Sequence, residues 1–343
     1  MAFSVDVNPA VLRWARESSG FSVPYIAERF GRSEKVVAGW ESGRPQPTWT
    51  DLCRLAKLYR RPIASLLLPA PPDESPLPAD YRTLPDGKKA LSPRSRLVIR
   101  TVRWLSGRLR ELREQLGRQS RFSRMGLRLS DDAEEVGRRV RERFGIAIDE
   151  QTRWQTANDA LRAWRTATER QGIFVFQFRM PIDEIRGFSL LEEQTPIIVL
   201  NETDAVAARI FTLFHEYAHL GMAEPGVCLP EEGPGDAVGS IETFCNRFSA
   251  AFLVPSRDLE QNRPTAVRDR TIEDLVRRYR VSRYACWVEC DRLGSYRTTR
   301  TGAFLSAGGQ TKARSDGPRG RGKADQIGRR SVSMREGVLL FPS

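Results

Sequence analysis

Both histidines of this 343-residue chain lie in one five-residue segment, HEYAH, at positions 215–219. The surrounding stretch, Asp204–Leu220, is rich in apolar residues, and its length and pattern predict a helix. Residues four apart lie on the same face of a helix. The spacing therefore predicts that two imidazoles project side by side from a helix, which any fold of this chain must accommodate.

Two imidazoles at this spacing can hold one zinc ion, so His215 and His219 are predicted metal ligands. Glu216 lies next to the same face and can reach a water in the open zinc position, where it would serve as general base. The alternative is a pair of ordinary helix histidines. The spacing, the central glutamate and the apolar flanks together favour a Zn²⁺-dependent metallo-endopeptidase of the HExxH type.

A catalytic zinc takes a third protein ligand, and no histidine remains to supply it. The downstream carboxylates and thiols are the candidates: Glu224, Cys228, Glu231, Glu232, Asp236, Glu242 and Cys245. We favour Glu242, because it begins a predicted helix, Ser240–Leu253, which holds a ligand more rigidly than the Gly/Pro-rich loop Gly221–Gly239. Asn246, one turn later, is predicted to orient a ligand. On spacing alone, Glu242 can equally be an acidic residue that stabilises the helix N-terminus through the helix dipole.

The first block, residues 8–68, has the layout of a five-helix helix-turn-helix domain. Its predicted helices are Pro9–Ser18, one capped by Ser22, one capped by Ser33 and ended by Ser42-Gly43, one capped by Thr48 or Thr50, and one opened by Pro62. The third helix would enter the major groove of double-stranded DNA with Arg32, Ser33, Glu34 and Lys35. Ser22 and Arg44 are predicted phosphate contacts. The alternative is a protein-interaction module, because Ala38 and Gly39 have no side-chain groups that could form hydrogen bonds with bases.

The rest of the chain divides by changes in pattern. We predict a Pro-rich linker at 69–91, a helical bridge at 92–171, a peptidase domain at 172–295 and a basic, disordered tail at 296–343. The bridge contains the predicted helices Ser92–Gln119, Asp131–Phe144 and Thr152–Gln171; the peptidase domain contains strands at 172–178, 187–191 and 196–200 and a helix pair over Thr271–Gly294. The predicted fold class is mainly α with a small mixed sheet.

Composition bounds the partners and the compartment. The net charge of +12 favours contact with nucleic acid, although an arginine-rich solvated surface is an equal alternative. No apolar run reaches membrane-spanning length, and the start of the chain lacks the pattern of a signal peptide. Five scattered cysteines fit reduced thiols, with Cys286 and Cys290 read as packed residues. We therefore expect a cytoplasmic protein without membrane contact.

Two parts of the predicted active site stay open. The donor that stabilises the oxyanion is not identifiable, and packing is the favoured role for each of the residues Tyr217, Arg247, Tyr279 and Tyr284. A peptide substrate is expected to add as a strand beside segment 187–191 or segment 196–200.

Residues 14–68 resemble the Xre (Cro/C1-type) helix-turn-helix family. The resemblance rests on the stretch SEKVVAGWESGRPQPT at 33–48, and within it on the pattern W-E-x-G-x-x-x-P-T that follows the predicted recognition helix. It implies a DNA-binding domain of five helices. Such domains usually bind DNA as dimers, but no dimer seam is visible in this sequence.

Residues 82–294 resemble the ImmA/IrrE metallopeptidase family. The matching pieces are GFS at 187–189, PIIVLN at 196–201, FTLFHEYAHL at 211–220 and ETFCNRFSAAFLVP at 242–255. The last is diagnostic, because the family follows its HExxH motif with an E-x-x-A-N-x-F-A helix. The resemblance implies a gluzincin-like domain, with His215, His219 and Glu242 as zinc ligands and Glu216 as the catalytic glutamate.

The chain also departs from that family. Cys245 stands where alanine is usual, and the segment after Tyr296 does not resemble the usual continuation. Members of the family are implied to cleave helix-turn-helix repressors and so to switch on stress, mobile-element or toxin–antitoxin genes. We therefore expect a DNA-binding endopeptidase that cleaves a helix-turn-helix repressor or antitoxin. The alternative is a DNA-binding regulator or antitoxin whose zinc domain binds a partner without proteolysis.

Overall fold

A computed structural model describes residues 3–73, 91–118, 120, 122, 125–192, 195–222, 227–228, 236–261 and 269–292. These residues belong to one compact unit, Met1–Thr298. The fold is mainly helical with a small mixed sheet, which confirms the predicted class. The predicted tail and most of the predicted linker lie outside the described residues, as do Glu224, Glu231 and Glu232.

The N-terminal helices are α1 (Pro9–Ser19), α2 (Val23–Phe30), α3 (Glu34–Trp40) and α4 (Trp49–Tyr59), followed by a short 3₁₀ helix, Ile63–Leu66. Ser22 caps α2 and Thr48 caps α4 with a capping box, as their sequence positions predict. Ser33 precedes α3 without a side-chain cap hydrogen bond. The predicted fifth helix, opened by Pro62, forms as a single 3₁₀ turn.

Glu41 explains why the W-E-x-G pattern follows the recognition helix. Its carboxylate is buried at the end of α3 and accepts two hydrogen bonds from Arg16 of α1, at 2.6 and 2.9 Å. Trp40 packs edge-on against Phe30, with ring centroids 6.2 Å apart. A bidentate arginine–carboxylate pair is geometrically specific. The pair and the aromatic contact together fix α3 against α1 and α2.

Helix α5 (Pro93–Gln115) connects the N-terminal helices to the sheet. Arg100 donates to the carbonyls of Tyr59 and Arg60 at 2.7 and 2.9 Å, and Arg96 donates to the carbonyl of Glu17 at 3.2 Å. These carbonyls lie at the C-terminal ends of α4 and α1, where the helix supplies few hydrogen-bond donors for its last carbonyl groups. Buried Val98, Ile99 and Val102 pack on the sheet from the same helix. The apolar residues of α5 are thus buried in its first half, whereas Leu112 and, just after the helix, Leu116 are exposed.

Three further helices of the bridge are α6 (Ala133–Phe144), α7 (Ile148–Arg153) and α8 (Ala157–Arg170). The expected single helix Thr152–Gln171 is wrong. Thr156 and Asp159 form a capping box that begins a new helix, α8.

The sheet comprises β1 (Phe174–Phe178), β2 (Gly187–Glu192), β3 (Thr195–Asn201) and β4 (Val227–Cys228), in the order β1-β3-β2-β4. β1 is parallel to β3, and β2 is antiparallel to both β3 and β4. Alternate residues of β3 pack into two separate hydrophobic cores. Ile197 and Val199 face α5, whereas Ile198 and Leu200 pack in the core that contains the helix of the HEYAH segment. The sheet therefore lies between α5 and the predicted metal-binding helix.

The remaining helices are α9 (Val206–Met222), α10 (Asp236–Leu253), α11 (Ser256–Gln261), α12 (Asp269–Tyr279) and α13 (Arg283–Arg292). Helix α10 begins four residues before the predicted Ser240, so Glu242 lies in its second turn. The helix dipole acts mainly within the first turn, which weakens the alternative role for Glu242. Helix α11 was not predicted.

Asp258 of α11 joins this short helix to α12. Its carboxylate accepts hydrogen bonds from Arg278 at 2.9 and 3.1 Å and from the Tyr279 hydroxyl at 2.5 Å. Burial raises the pKa of Asp258, but these hydrogen bonds outweigh it and leave the pKa below the usual value. The folded-state pKa is thus lower than the unfolded one, so the carboxylate stabilises the fold above about pH 4 and this contribution is lost as the pH falls through the folded value.

We expect Asp258→Asn to lower the free energy of unfolding at pH 7 by about 1–3 kcal/mol, because charged hydrogen bonds are lost. The deficit relative to the unmodified chain should shrink as the pH is lowered below about 4. Denaturant unfolding followed by circular dichroism at several pH values measures both effects. Asp274→Asn is the matched control, since Asp274 pairs with Arg277 on the surface. Equal deficits for both variants would contradict the assignment.

Candidate metal centre

Helix α9 brings the two histidines together as its spacing predicts. The Nε2 atoms of His215 and His219 lie 3.1 Å apart, and both side chains are almost completely buried. The neighbouring apolar residues of α9 are also buried, because the helix passes between the sheet and α10. The imidazoles are therefore held in the interior by a helix that is packed on several sides.

Helix α10 supplies Glu242 from the facing side. Its Oε2 lies 2.9 Å from His215 Nε2, and its Oε1 lies 3.1 Å from His219 Nε2. Burial raises the pKa of Glu242, but its contacts with the two imidazoles outweigh this and hold the pKa well below the usual range. The carboxylate is thus available in its ionised form.

Asn246 lies one turn after Glu242 and contacts His215 from behind. Its Oδ1 is 3.0 Å from His215 Nδ1. An amide oxygen only accepts hydrogen bonds, so Nδ1 carries a proton, and Nε2 is the nitrogen that faces Glu242 and can give its lone pair to a metal. This is the tautomer in which a histidine binds a metal through Nε2.

The donor set fits zinc. The two imidazole Nε2 atoms lie 3.1 Å apart, and each lies 2.9 or 3.1 Å from a different oxygen of the Glu242 carboxylate. Tetrahedral bonds of about 2.0–2.1 Å place neighbouring ligand atoms about 3.3 Å apart. His215, His219 and Glu242 would therefore hold the ion after shifts of a few tenths of an ångström.

Cys245 is a second candidate beside Glu242. Its sulfur and nitrogen atoms of both histidines all lie within 4.8 Å of one another, and its side chain is fully buried. Glu242 contacts both imidazoles, at 2.9 and 3.1 Å, so we rank it first. The side chains of Cys228 and Asp236, two other candidates, lie outside the described residues.

Glu216 is completely buried beside these groups. Burial raises its pKa, which the two histidines and a hydrogen bond from Ser189 partly offset. Ser189 lies on β2 and is itself buried. The sequence alone assigned no role to Ser189. Its position in the GFS segment, on a predicted strand close to the HEYAH helix in sequence, was the signal that could have identified it.

Gly187 allows β2 to approach α9 closely. A Cβ atom at this position would lie 2.4 Å from Thr212 Cγ2 and 2.8 Å from the carbonyl oxygen of Val199. Atoms do not approach this closely without displacement. The glycine therefore permits the spacing at which Ser189 reaches Glu216.

The four residues considered for the oxyanion are dispersed. Tyr217 packs in the aromatic core against Phe144, and Tyr279 donates to Asp258. Arg247 is exposed. Tyr284 contacts Phe211, whose ring in turn lies 6.4 Å from that of His215. Of the four, Tyr284 is thus joined to the metal centre through one intervening ring.

The sheet order limits where a peptide can add. β3 lies between β1 and β2, so the expected addition beside segment 196–200 is wrong. β2 pairs with β4 only at Gly187 and Phe188. In the part of the chain that the structure describes, the outer edge of β2 from Ser189 onward forms no strand pair.

The predicted DNA contacts cluster around the start of α3. Arg32, Ser33, Glu34 and Lys35 are exposed, and Arg44 is exposed in the following loop. Arg32 lies 3.4 Å from the buried Asp51 carboxylate, which directs it toward α4. Ser22 accepts a hydrogen bond from the Tyr25 amide. Gly39, expected on the exposed face, is buried against the carbonyl oxygen of Arg44 and so leaves room for the loop.

Within the described ranges, we find no helix whose length and apolar character would let it cross a membrane.

Comparison with known proteins places two domains on the chain. The family model of a helix-turn-helix domain matches residues 10–66, and the model of the peptidase M78 family, an IrrE N-terminal-like domain, matches residues 168–286. No curated protein matches the chain. One similar solved structure is a Mycobacterium tuberculosis transcriptional regulator, at 19% identity and a TM-score of 0.29, over 49% of this chain. The chain covers 53% of that structure, about half its length.

The two matches enclose the two sites built above. Helices α1 to α4 fall within the first match, and the HEYAH segment and Glu242 fall within the second. The chain joins a helix-turn-helix DNA-binding domain to a peptidase-like domain of the ImmA/IrrE family.

Proposed function

We propose that this chain is a DNA-binding zinc metallo-endopeptidase that regulates transcription by cleaving a helix-turn-helix repressor or antitoxin. The observation that supports this most is the convergence of His215, His219 and Glu242 within 3.1 Å, with Glu216 beside them. A site that only bound a partner through zinc would not require Glu216. The proposed domain bounds are 8–68 for DNA binding and 172–295 for the peptidase.

His215, His219 and Glu242 hold the ion, and Asn246 fixes the orientation of His215. Bound zinc supplies a Lewis acid that polarises a peptide carbonyl and lowers the pKa of the attacking water. Glu216 takes the proton of that water as its oxygen attacks, and passes it to the amine nitrogen that leaves. Ser189 donates a hydrogen bond to Glu216 and keeps its carboxylate aimed.

The substrate is proposed to add along the outer edge of β2 from Ser189 onward. A peptide in this position gains backbone hydrogen bonds without any requirement for a particular sequence. Because Ser189 lies at the start of this edge and bonds Glu216, a peptide paired here would have its backbone close to the general base. Specificity would then come from side chains that flank the edge.

The test is zinc-dependent cleavage of candidate substrates. The zinc-loaded full chain is incubated with helix-turn-helix repressors encoded beside it, and products are identified by mass spectrometry. Samples stripped with a chelator and then reloaded with zinc are the controls. We expect cleavage in the loaded and reloaded samples alone. Zinc binding without cleavage of any repressor would favour the partner-binding alternative, and cleavage that survives chelation would contradict the proposal.

We expect Lys35→Ala to weaken DNA binding by about 1–3 kcal/mol, which is about 5- to 150-fold, because Lys35 is exposed on the proposed recognition helix. Fluorescence anisotropy at fixed salt, with DNA upstream of the gene, measures this. The melting temperature should be unchanged, since the side chain lies on the surface. Unaltered affinity would exclude α3 as the DNA-contacting helix.

A further inference from the structure

Cys245 lies beside the two histidines of the proposed metal centre. Its sulfur and the nitrogens of His215 and His219 are all within 4.8 Å of one another. It follows Glu242 by three residues on α10, so both side chains project from the same face toward α9.

We propose that Cys245 binds the zinc ion as a fourth protein ligand and holds the site in a closed, resting state; this inference rests on the proposed function. Zinc takes sulfur ligands readily, and sites with four protein ligands are closed to catalysis. Zinc–nitrogen and zinc–sulfur bonds of about 2.0 and 2.3 Å place the two ligand atoms about 3.5 Å apart. The present separations of at most 4.8 Å exceed this spacing by no more than about 1.3 Å, a shift that rotation of one side-chain bond provides.

Closure and opening are a ligand exchange. On closing, the thiol would give its proton to solvent, and the sulfur would replace the water in the open coordination position; that water would leave to solvent and return on opening. On opening, the sulfur leaves the ion and takes up a proton. No oxidant or reductant takes part. The exchange would make the peptidase latent until substrate binding displaces the sulfur.

X-ray absorption of the zinc-loaded full chain tests the assignment. We expect a zinc–sulfur distance of about 2.3 Å beside zinc–nitrogen and zinc–oxygen distances of about 2.0–2.1 Å. The cobalt-loaded chain should show a sulfur-to-cobalt charge-transfer band in the near ultraviolet. Cys245→Ala and Cys245→Ser should lose both signals and keep one bound metal ion. Cys286→Ala, which removes an equally buried thiol from α13, should keep both signals.

The outcomes separate this inference from the proposed function. Metal bound by nitrogen and oxygen alone in the unmodified chain overturns the role of Cys245 and leaves the proposed peptidase site intact. A sulfur signal that survives in Cys245→Ala also overturns it, because another thiol would be the ligand. Absence of bound metal in the unmodified chain would contradict both the role of Cys245 and the proposed function. Where cleavage is measurable, the rate of Cys245→Ala should exceed that of the unmodified chain, and a lower rate would contradict closure.

Discussion

Glu216→Gln is expected to abolish peptide cleavage while leaving the zinc ion in place. Glutamine has nearly the same shape but cannot accept a proton at neutral pH. Loss of a general base costs about a hundred- to ten-thousand-fold in rate. The metal is retained because the ligands are His215, His219 and Glu242, and the substitution removes none of them.

Rates and zinc content measured on the same preparation separate the effects of this substitution. A fall in rate with one zinc ion per chain assigns the proton transfer to Glu216. Loss of zinc together with the rate would instead show that Glu216 contributes to the metal centre. Because Glu216 is fully buried, the melting temperature is the control for a folding defect. A rate unchanged within a factor of two would contradict the mechanism.

Gly187→Ala is expected to destabilise the domain by about 3 kcal/mol, the upper end for overpacking. The added methyl group would lie 2.4 Å from Thr212 Cγ2 and 2.8 Å from the backbone oxygen of Val199. Neither the buried threonine nor the central strand β3 can move freely, so β2 and α9 must separate. The separation would also draw Ser189 away from Glu216 and lower the cleavage rate.

Gly107→Ala is the matched control for this prediction. Gly107 lies within α5, and a Cβ atom there would meet no other atom within 4 Å. Alanine in a helix interior is more favourable than glycine by about 1 kcal/mol, so this variant should be slightly more stable than the unmodified chain. Denaturant unfolding compares the two. A Gly187→Ala variant as stable as Gly107→Ala would show that β2 and α9 are not in close contact.

Local patterns predicted much of the fold. The caps at Ser22 and Thr48 act within four residues, and the spacing of His215 and His219 is a property of any helix. The start of α10 was predicted four residues late, because its first turn lies in a stretch with loop-like Gly, Pro and Glu residues. The break before α8 was missed although Thr156 and Asp159 form a capping box, since the apolar periodicity on either side suggested continuity.

Other features depend on contacts between distant parts of the chain. Helix α5 binds the carbonyl ends of α1 and α4 through Arg96 and Arg100, but the sequence shows only an arginine-rich helix. The place of β3 inside the sheet depends on strand order, which alternation of residues does not encode. The bond from Ser189 to Glu216 and the approach of Cys245 to the histidines likewise arise when β2 and α10 pack on α9.

The zinc content of the full chain tests the central claim most directly. The chain is purified without added metal and analysed by mass spectrometry for metal per protein, beside Glu242→Ala and Glu216→Gln. The account predicts one zinc ion per unmodified chain, one in Glu216→Gln, and marked loss in Glu242→Ala. An unmodified chain that binds no zinc, even when zinc is supplied, would contradict the account.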